Sequence, residues 1–171
     1  MTGLFLFFFT IWALGFLITI VHELGHAIFS GGNVEYIQIG IDIGTSFVLG
    51  KFIIYPLLPI AGGTKLTIEN PSKQRVVLFA SAGIIIGSVI CILVGLIGLS
   101  LLPPETLAEV VQTHKLRFLL TTVILGNASI QTTIATAFLS SAILYGVQQI
   151  GNFFPVPGYD GHLILNAILP R

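Results

Sequence analysis

The chain has 171 residues, enough for one compact domain, of which 54% are hydrophobic and only 8% charged. Soluble globules carry about 25% charged residues, so this balance excludes an ordinary soluble fold and points to a polytopic membrane protein. The formal net charge is zero, which leaves no basic surface for a nucleic-acid partner. Cys91 is the only cysteine, which excludes an intrachain disulfide and argues against a thiolate metal site.

The apolar stretch over residues 4–29 predicts the first of three transmembrane helices, with Gly31-Gly32-Asn33 as its stop. No Lys or Arg precedes Lys51 and no small-residue cleavage site follows the stretch. It therefore reads as a retained helix rather than a signal peptide. At its inner end stand His22-Glu23-Leu24-Gly25-His26. Ionisable groups at membrane depth are costly and mark function. Residues four apart share a helix face, so His22 and His26 can bind one metal ion. Glu23, one step round, can take a proton from a water beside that ion. The bland alternative is a pair of buried structural histidines. The carboxylate between them and a second motif far downstream weigh against it.

Residues 34–68 form a β-rich loop. Ile37, Ile39, Ile41 and Ile43 alternate with Gln38, Gly40 and Asp42, the period of a strand. Gly44-Thr45-Ser46 supplies a turn and residues 47–55 a second strand, together a β-hairpin. Pro56, Pro59 and Gly62-Gly63 break the chain before a short strand over residues 64–68. Lipid does not tolerate open sheet edges, so this sheet belongs at the interface or against the helices.

Residues 76–102 carry no charge and predict the second span, in which Gly83 and Gly87, then Gly95 and Gly98, read as close helix–helix contacts. Pro103-Pro104 ends it. Residues 105–117 predict a short solvent-facing helix, with His114 solvated. The third span is placed at residues 134–151, after a polar patch over 127–133, and residues 118–125 form an interfacial or re-entrant helix; a fourth full span is the alternative. The fold class is thus an α-helical polytopic membrane protein with three core helices and a small membrane-associated β-hairpin or sheet, residues 1–171 making a single domain. Lys51, Lys65, Lys73 and Arg75 lie between the first two spans, against Lys115 and Arg117 in the next connection. By the positive-inside rule the β-rich loop and the metal end of the first span face the cytoplasm.

A catalytic zinc site needs a third protein ligand and one open position. Directly after the third span comes Asn152-Phe153-Phe154-Pro155-Val156-Pro157-Gly158-Tyr159-Asp160-Gly161. Its prolines break the helix and leave irregular backbone, which at membrane depth must be buried in protein or line a wet cavity. Asp160 there can approach the metal from the side opposite the first helix; a turn or cap role is its bland alternative. Asn152 is divided between a helix-end role and a functional one. His162 reads as structural rather than as a ligand, and Trp12 and Tyr159 as packing residues.

The pairing of His-Glu-x-x-His in the first core span with Asn-x-x-Pro-x-Pro-x-x-Asp-Gly at the third resembles the site-2 protease family of intramembrane zinc metalloproteases. Leu58-Pro59-Ile60-Ala61-Gly62-Gly63-Thr64-Lys65 is similar to that family's Pro-x-Gly-Gly-type loop, with one extra residue. The resemblance implies one Zn2+ per chain held by His22, His26 and Asp160, with Glu23 as catalytic base and Asn152 in a substrate-positioning or transition-state role. The chain departs from the family at Gly83-Ile84-Ile85-Ile86-Gly87, where Gly-Pro-x-x-Asn is frequent, and at Tyr159-Asp160-Gly161-His162, where Leu-Asp-Gly-Gly is common. The connection after the second span is too short for the peptide-binding PDZ domain many relatives carry, so the chain resembles a minimal core.

The expected activity is hydrolysis of a peptide bond in or near a transmembrane segment of another membrane protein, releasing a cytoplasmic fragment. An edge of the hairpin over residues 35–55 would take the unwound substrate as an added strand, and Thr19 and Gly15 would line its approach. The rival is a catalytically silent relative that binds membrane helices as an adaptor. Short extramembrane parts and the lack of a transit peptide point to a prokaryotic plasma membrane. Nothing in the sequence specifies an oligomeric state.

Overall fold

The first helix, α1 (Thr2–Phe29), follows from an apolar run with no proline, and Gly31, at a φ of 70°, turns the chain out of it. A computed structural model describes residues 2–31, 34–67, 71–113 and 116–169; Gly32, Asn33, Ile68, His114, Lys115 and Arg171 lie outside them. The second long helix, α2 (Lys73–Leu101), is capped by Ser72, whose side chain accepts the Arg75 N–H at 3.3 Å. It stops where Leu102 turns extended before Pro103, as a residue preceding proline prefers. The third, α5 (Ile130–Asn152), is capped by Ser129 through the Thr132 N–H at 3.1 Å. The polar patch expected to precede this helix thus forms its cap and first turn.

These three are the helices, among the described residues, long and apolar enough to cross a membrane. Between α2 and α5 lie two shorter ones, α3 (Pro104–Thr113) and α4 (Leu116–Ile124). At 9 residues α4 is about 14 Å long, so a fourth full span is not formed. It buries Leu119 and Val123 against α5, Val123 together with Phe7 of α1. The solvent-facing helix expected over residues 105–117 is therefore two elements: Glu105 and Glu109 lie exposed on α3, and Arg117 lies exposed in the first turn of α4.

The helices α1, α2 and α5 share a core of Leu14, Ile18, Cys91, Val94 and Tyr145. Their outer faces are apolar as well: Phe5, Ile92, Leu96 and Val147 are all exposed. Soluble monomers rarely carry a continuous apolar surface of this extent.

The β-rich loop folds otherwise than its alternation predicts. Four strands, β1 (Val34–Ile39), β2 (Phe47–Leu49), β3 (Phe52–Ile54) and β4 (Gly62–Leu66), form one mixed sheet in the order β2-β3-β1-β4. The tight hairpin joins β2 and β3 through Gly50, while β3 runs parallel to β1 with Ile37 opposite Phe52. Strand β1 ends at Ile39 because Gly40, at a φ of 89°, leaves the strand against the Tyr55 carbonyl, with no room for a side chain. Ile41 and Ile43 therefore lie outside it. Alternation identifies which residues face the core, but not the partner or its direction. Strand β4 pairs antiparallel with β1 and starts at the glycines expected to precede it. Val34, Ile37 and Ile39 seat the sheet on Phe16, Ile20, Leu24 and Ala27 of α1.

Beyond α5, residues 153–159 turn the chain into α6 (Asp160–Ile168), which packs on α2. The sheet, the C-terminal part of α1 and the start of α6 thereby meet at one end of the bundle.

Candidate metal centre

His22 and His26, one turn apart on α1, put their Nε2 atoms 3.1 Å from each other. Each ring is held from behind through Nδ1. His26 lies 2.7 Å from the Phe79 carbonyl of α2, and His22 2.9 Å from Oε1 of Gln149 on α5. Asp160, the first residue of α6, brings Oδ2 to 3.5 Å from His22 Nε2 and 3.4 Å from His26 Nε2. Gly161 allows this approach, since the Phe153 carbonyl occupies the space a side chain there would need. The turn around Pro155 and Pro157 thus brings Asp160 against residues of the first helix.

Glu23 is also buried, at 3% exposure. Thr64 of β4 donates its hydroxyl to Glu23 Oε2 at 2.9 Å. A Cβ at Gly62 would come within 2.7 Å of Glu23 Oε1 and 2.8 Å of the Gln38 carbonyl, so that glycine makes room for the carboxylate. The sheet therefore positions Glu23, while helices position the histidines and the aspartate. His22, Glu23 and His26 offer ligand atoms within 4.8 Å of one another and could hold a metal ion. Asp160 Oδ2 lies closer to both imidazoles than that bound.

The donor set fits a tetrahedral cation. Bonds of about 2.0–2.1 Å around a tetrahedral centre put neighbouring ligand atoms about 3.3–3.4 Å apart, and the three contacts among the two Nε2 atoms and Oδ2 span 3.1 to 3.5 Å. Burial acts to raise the Asp160 carboxyl, yet the two imidazoles against it hold it below the ordinary carboxylate range. An anion and a pair of ring nitrogens converging on one point could serve as a cation's ligand set.

A cavity of about 440 Å³ opens over these groups, lined by Thr19, Gly63, Asn152 and Tyr159 among others. Asn152 is 9% exposed and faces this cavity. Thr19 lines it too, but its hydroxyl donates to the Pro59 carbonyl at 2.6 Å, and Trp12 Nε1 donates to the Pro56 carbonyl at 2.9 Å. Both residues tie the loop after β3 to α1, so Trp12 does more than pack. Gly15 does not line an approach, because the Tyr145 hydroxyl fills the space beside it. His162 lies on α6 with Nε2 2.9 Å from the Asn166 amide, away from the cavity lining.

Gly83 and Gly87 are close helix–helix contacts as expected, and the side chains they face on α1 and α5 belong to the site. The His26 ring occupies the space beside Gly83. A Cβ at Gly87 would lie 2.6 Å from Gln149 Oε1 and 2.9 Å from His22 Nδ1. Each glycine thus admits part of the site. Gln149 and Thr64 escaped the sequence reading. A buried glutamine three residues before Asn152 in an apolar helix was a signal for the first, whereas Thr64 offered none. No family model, curated protein or solved structure matches the chain.

Proposed function

We propose that the chain is an intramembrane zinc metalloprotease of the site-2 protease type, with residues 1–171 forming its membrane-embedded catalytic domain. The observation that carries this reading is the meeting of His22, His26 and Asp160, drawn from opposite ends of the sequence, within 3.5 Å of one another beside the buried Glu23. The three long helices cross the bilayer, their apolar outer faces in contact with lipid. Glu23 lies six residues before the end of α1, about 9 Å inside it. The reaction would then run near the cytoplasmic face, where the lysines and arginine flanking the sheet place that end of the bundle.

His22, His26 and Asp160 would hold the ion beside the cavity. Zinc, when bound, makes water acidic enough to lose a proton near neutral pH and stabilises charge on the attacked carbonyl oxygen. Glu23 accepts the proton of the attacking water and returns it to the leaving amide nitrogen, while the Thr64 hydroxyl keeps its carboxylate aimed. Asn152 presents its amide to the substrate. A transmembrane segment must unwind to expose its peptide bond. The outer edge of β4, which borders the cavity and is not paired within the sheet, takes the extended chain by strand addition. This edge is preferred to that of the 35–55 hairpin, because the hairpin's outer strand β2 does not line the cavity, whereas Gly62, Gly63 and Thr64 of β4 do.

The test is zinc content together with cleavage of a transmembrane peptide by the protein reconstituted in liposomes. About one zinc per chain and cleavage abolished by Glu23→Gln support the reading. A zinc-free protein, or cleavage that survives Glu23→Gln, rules it out.

A further inference from the structure

The two histidines are held from behind by groups of different chemistry. The Phe79 carbonyl at 2.7 Å from His26 Nδ1 can only accept, so Nδ1 carries the proton and Nε2 of the neutral ring keeps its lone pair. Nothing so restrictive stands behind His22. Its Nδ1 meets a side-chain amide, which accepts through oxygen on one side and donates through nitrogen on the other.

We propose that Gln149 is the positioning residue that selects the tautomer of His22, and with it the ability of the site to take a metal ion. The inference rests on the zinc-site reading above. With the amide oxygen toward the ring, Nδ1–H donates to Oε1 at 2.9 Å and the Nε2 lone pair faces His26 and Asp160. With the amide nitrogen toward the ring, the proton moves to Nε2. It then lies between His26 Nε2 and Asp160, in the space the cation needs. On the Nδ1 side the choice falls to this amide, since Gln149 is 3% exposed; on the Nε2 side His26 at 3.1 Å and Asp160 at 3.5 Å accept a proton until a cation takes its place, and the amide oxygen opposes that pull.

The surrounding residues are shaped for this amide. A Cβ at position 87 would lie 2.6 Å from Gln149 Oε1, so only glycine on α2 leaves the head group its place beside His22. The amide beside His22 reaches the site from α5, across the bare Gly87.

Two near-isosteric variants separate this role from packing. Gln149→Leu fills the space and can neither accept nor donate; Gln149→Glu can only accept. Zinc affinity, measured by chelator competition on the full chain in detergent, should fall about 10- to 100-fold in Gln149→Leu and be kept in Gln149→Glu. Imidazole nitrogen NMR of the metal-free protein should show a larger share of His22 protonated at Nδ1 in the unaltered chain and in Gln149→Glu than in Gln149→Leu. Zinc affinity unchanged in Gln149→Leu, or a His22 ring that keeps its Nδ1 proton there, overturns the proposal. A chain that binds no zinc at all defeats the zinc-site reading instead, and the metal-free spectra still decide the part played by Gln149.

Discussion

Asp160 and Glu23 are carboxylates in one cavity with different neighbours, and those neighbours separate the tasks proposed for them. Asp160 faces two imidazole nitrogens within 3.5 Å, whereas Glu23 is held by the Thr64 hydroxyl on the β4 side. Asp160→Ala should therefore lose the zinc, read as metal content of the purified protein. Glu23→Gln should keep it and lower cleavage at least about a hundredfold, the usual worth of a general base. Thr64→Val should also keep the metal. A hydrogen bond to a charged group contributes about 1.5–3 kcal/mol, so cleavage should drop roughly ten- to hundredfold, and an unchanged rate would show that Glu23 needs no such support. The histidines, Glu23 and Asp160 were legible because their residue types are rare in so apolar a chain. Thr64 was not, because a threonine in a short strand is ordinary until the fold sets it beside a carboxylate.

At the scale of elements, the glycines of α2 show how one spacing serves two purposes. Gly95 and Gly98 face Ala142 and Leu139 of α5 and allow the close helix contact that their sequence suggests. Gly83 and Gly87 face His26 and Gln149. Gly83→Ala should displace the His26 ring, release zinc and lower the thermal stability, since forced overpacking costs about 1–3 kcal/mol. Gly95→Ala, whose Cβ would meet that of Ala142 at 3.3 Å, away from the site, should keep the metal. Equal zinc retention in the two variants would mean that α2 yields at the site and the room at Gly83 is not required. The sheet repeats the point. Its core-facing isoleucines were readable, but the parallel pairing of β1 with β3 depends on a turn at Gly40 that local alternation does not encode.

Across the whole molecule, α2 is 29 residues long, or about 43 Å, longer than the roughly 30 Å of a hydrocarbon core. It separates the sheet and metal centre at one end from α3 and α4 at the other. If the three long helices cross the bilayer, the two ends lie on opposite sides. With Cys91→Ala as background, Lys65→Cys and Glu105→Cys should react with an impermeant maleimide from opposite faces of sealed vesicles. Labelling from the same face would disprove the three-crossing arrangement.

The sequence by itself determined the apolar helices, the end of the second at Pro103, and the four ionisable residues that carry the proposed chemistry. These follow from composition, helical period and the cost of charge in an apolar chain, all of which act locally. Only the tertiary structure decided that Asp160 meets His22 and His26, that β4 rather than the hairpin borders the cavity, and that Gln149 and Gly87 stand behind His22. Each of those depends on contacts between residues far apart in the chain, and such contacts are selected by how whole elements pack rather than by any pattern within one of them.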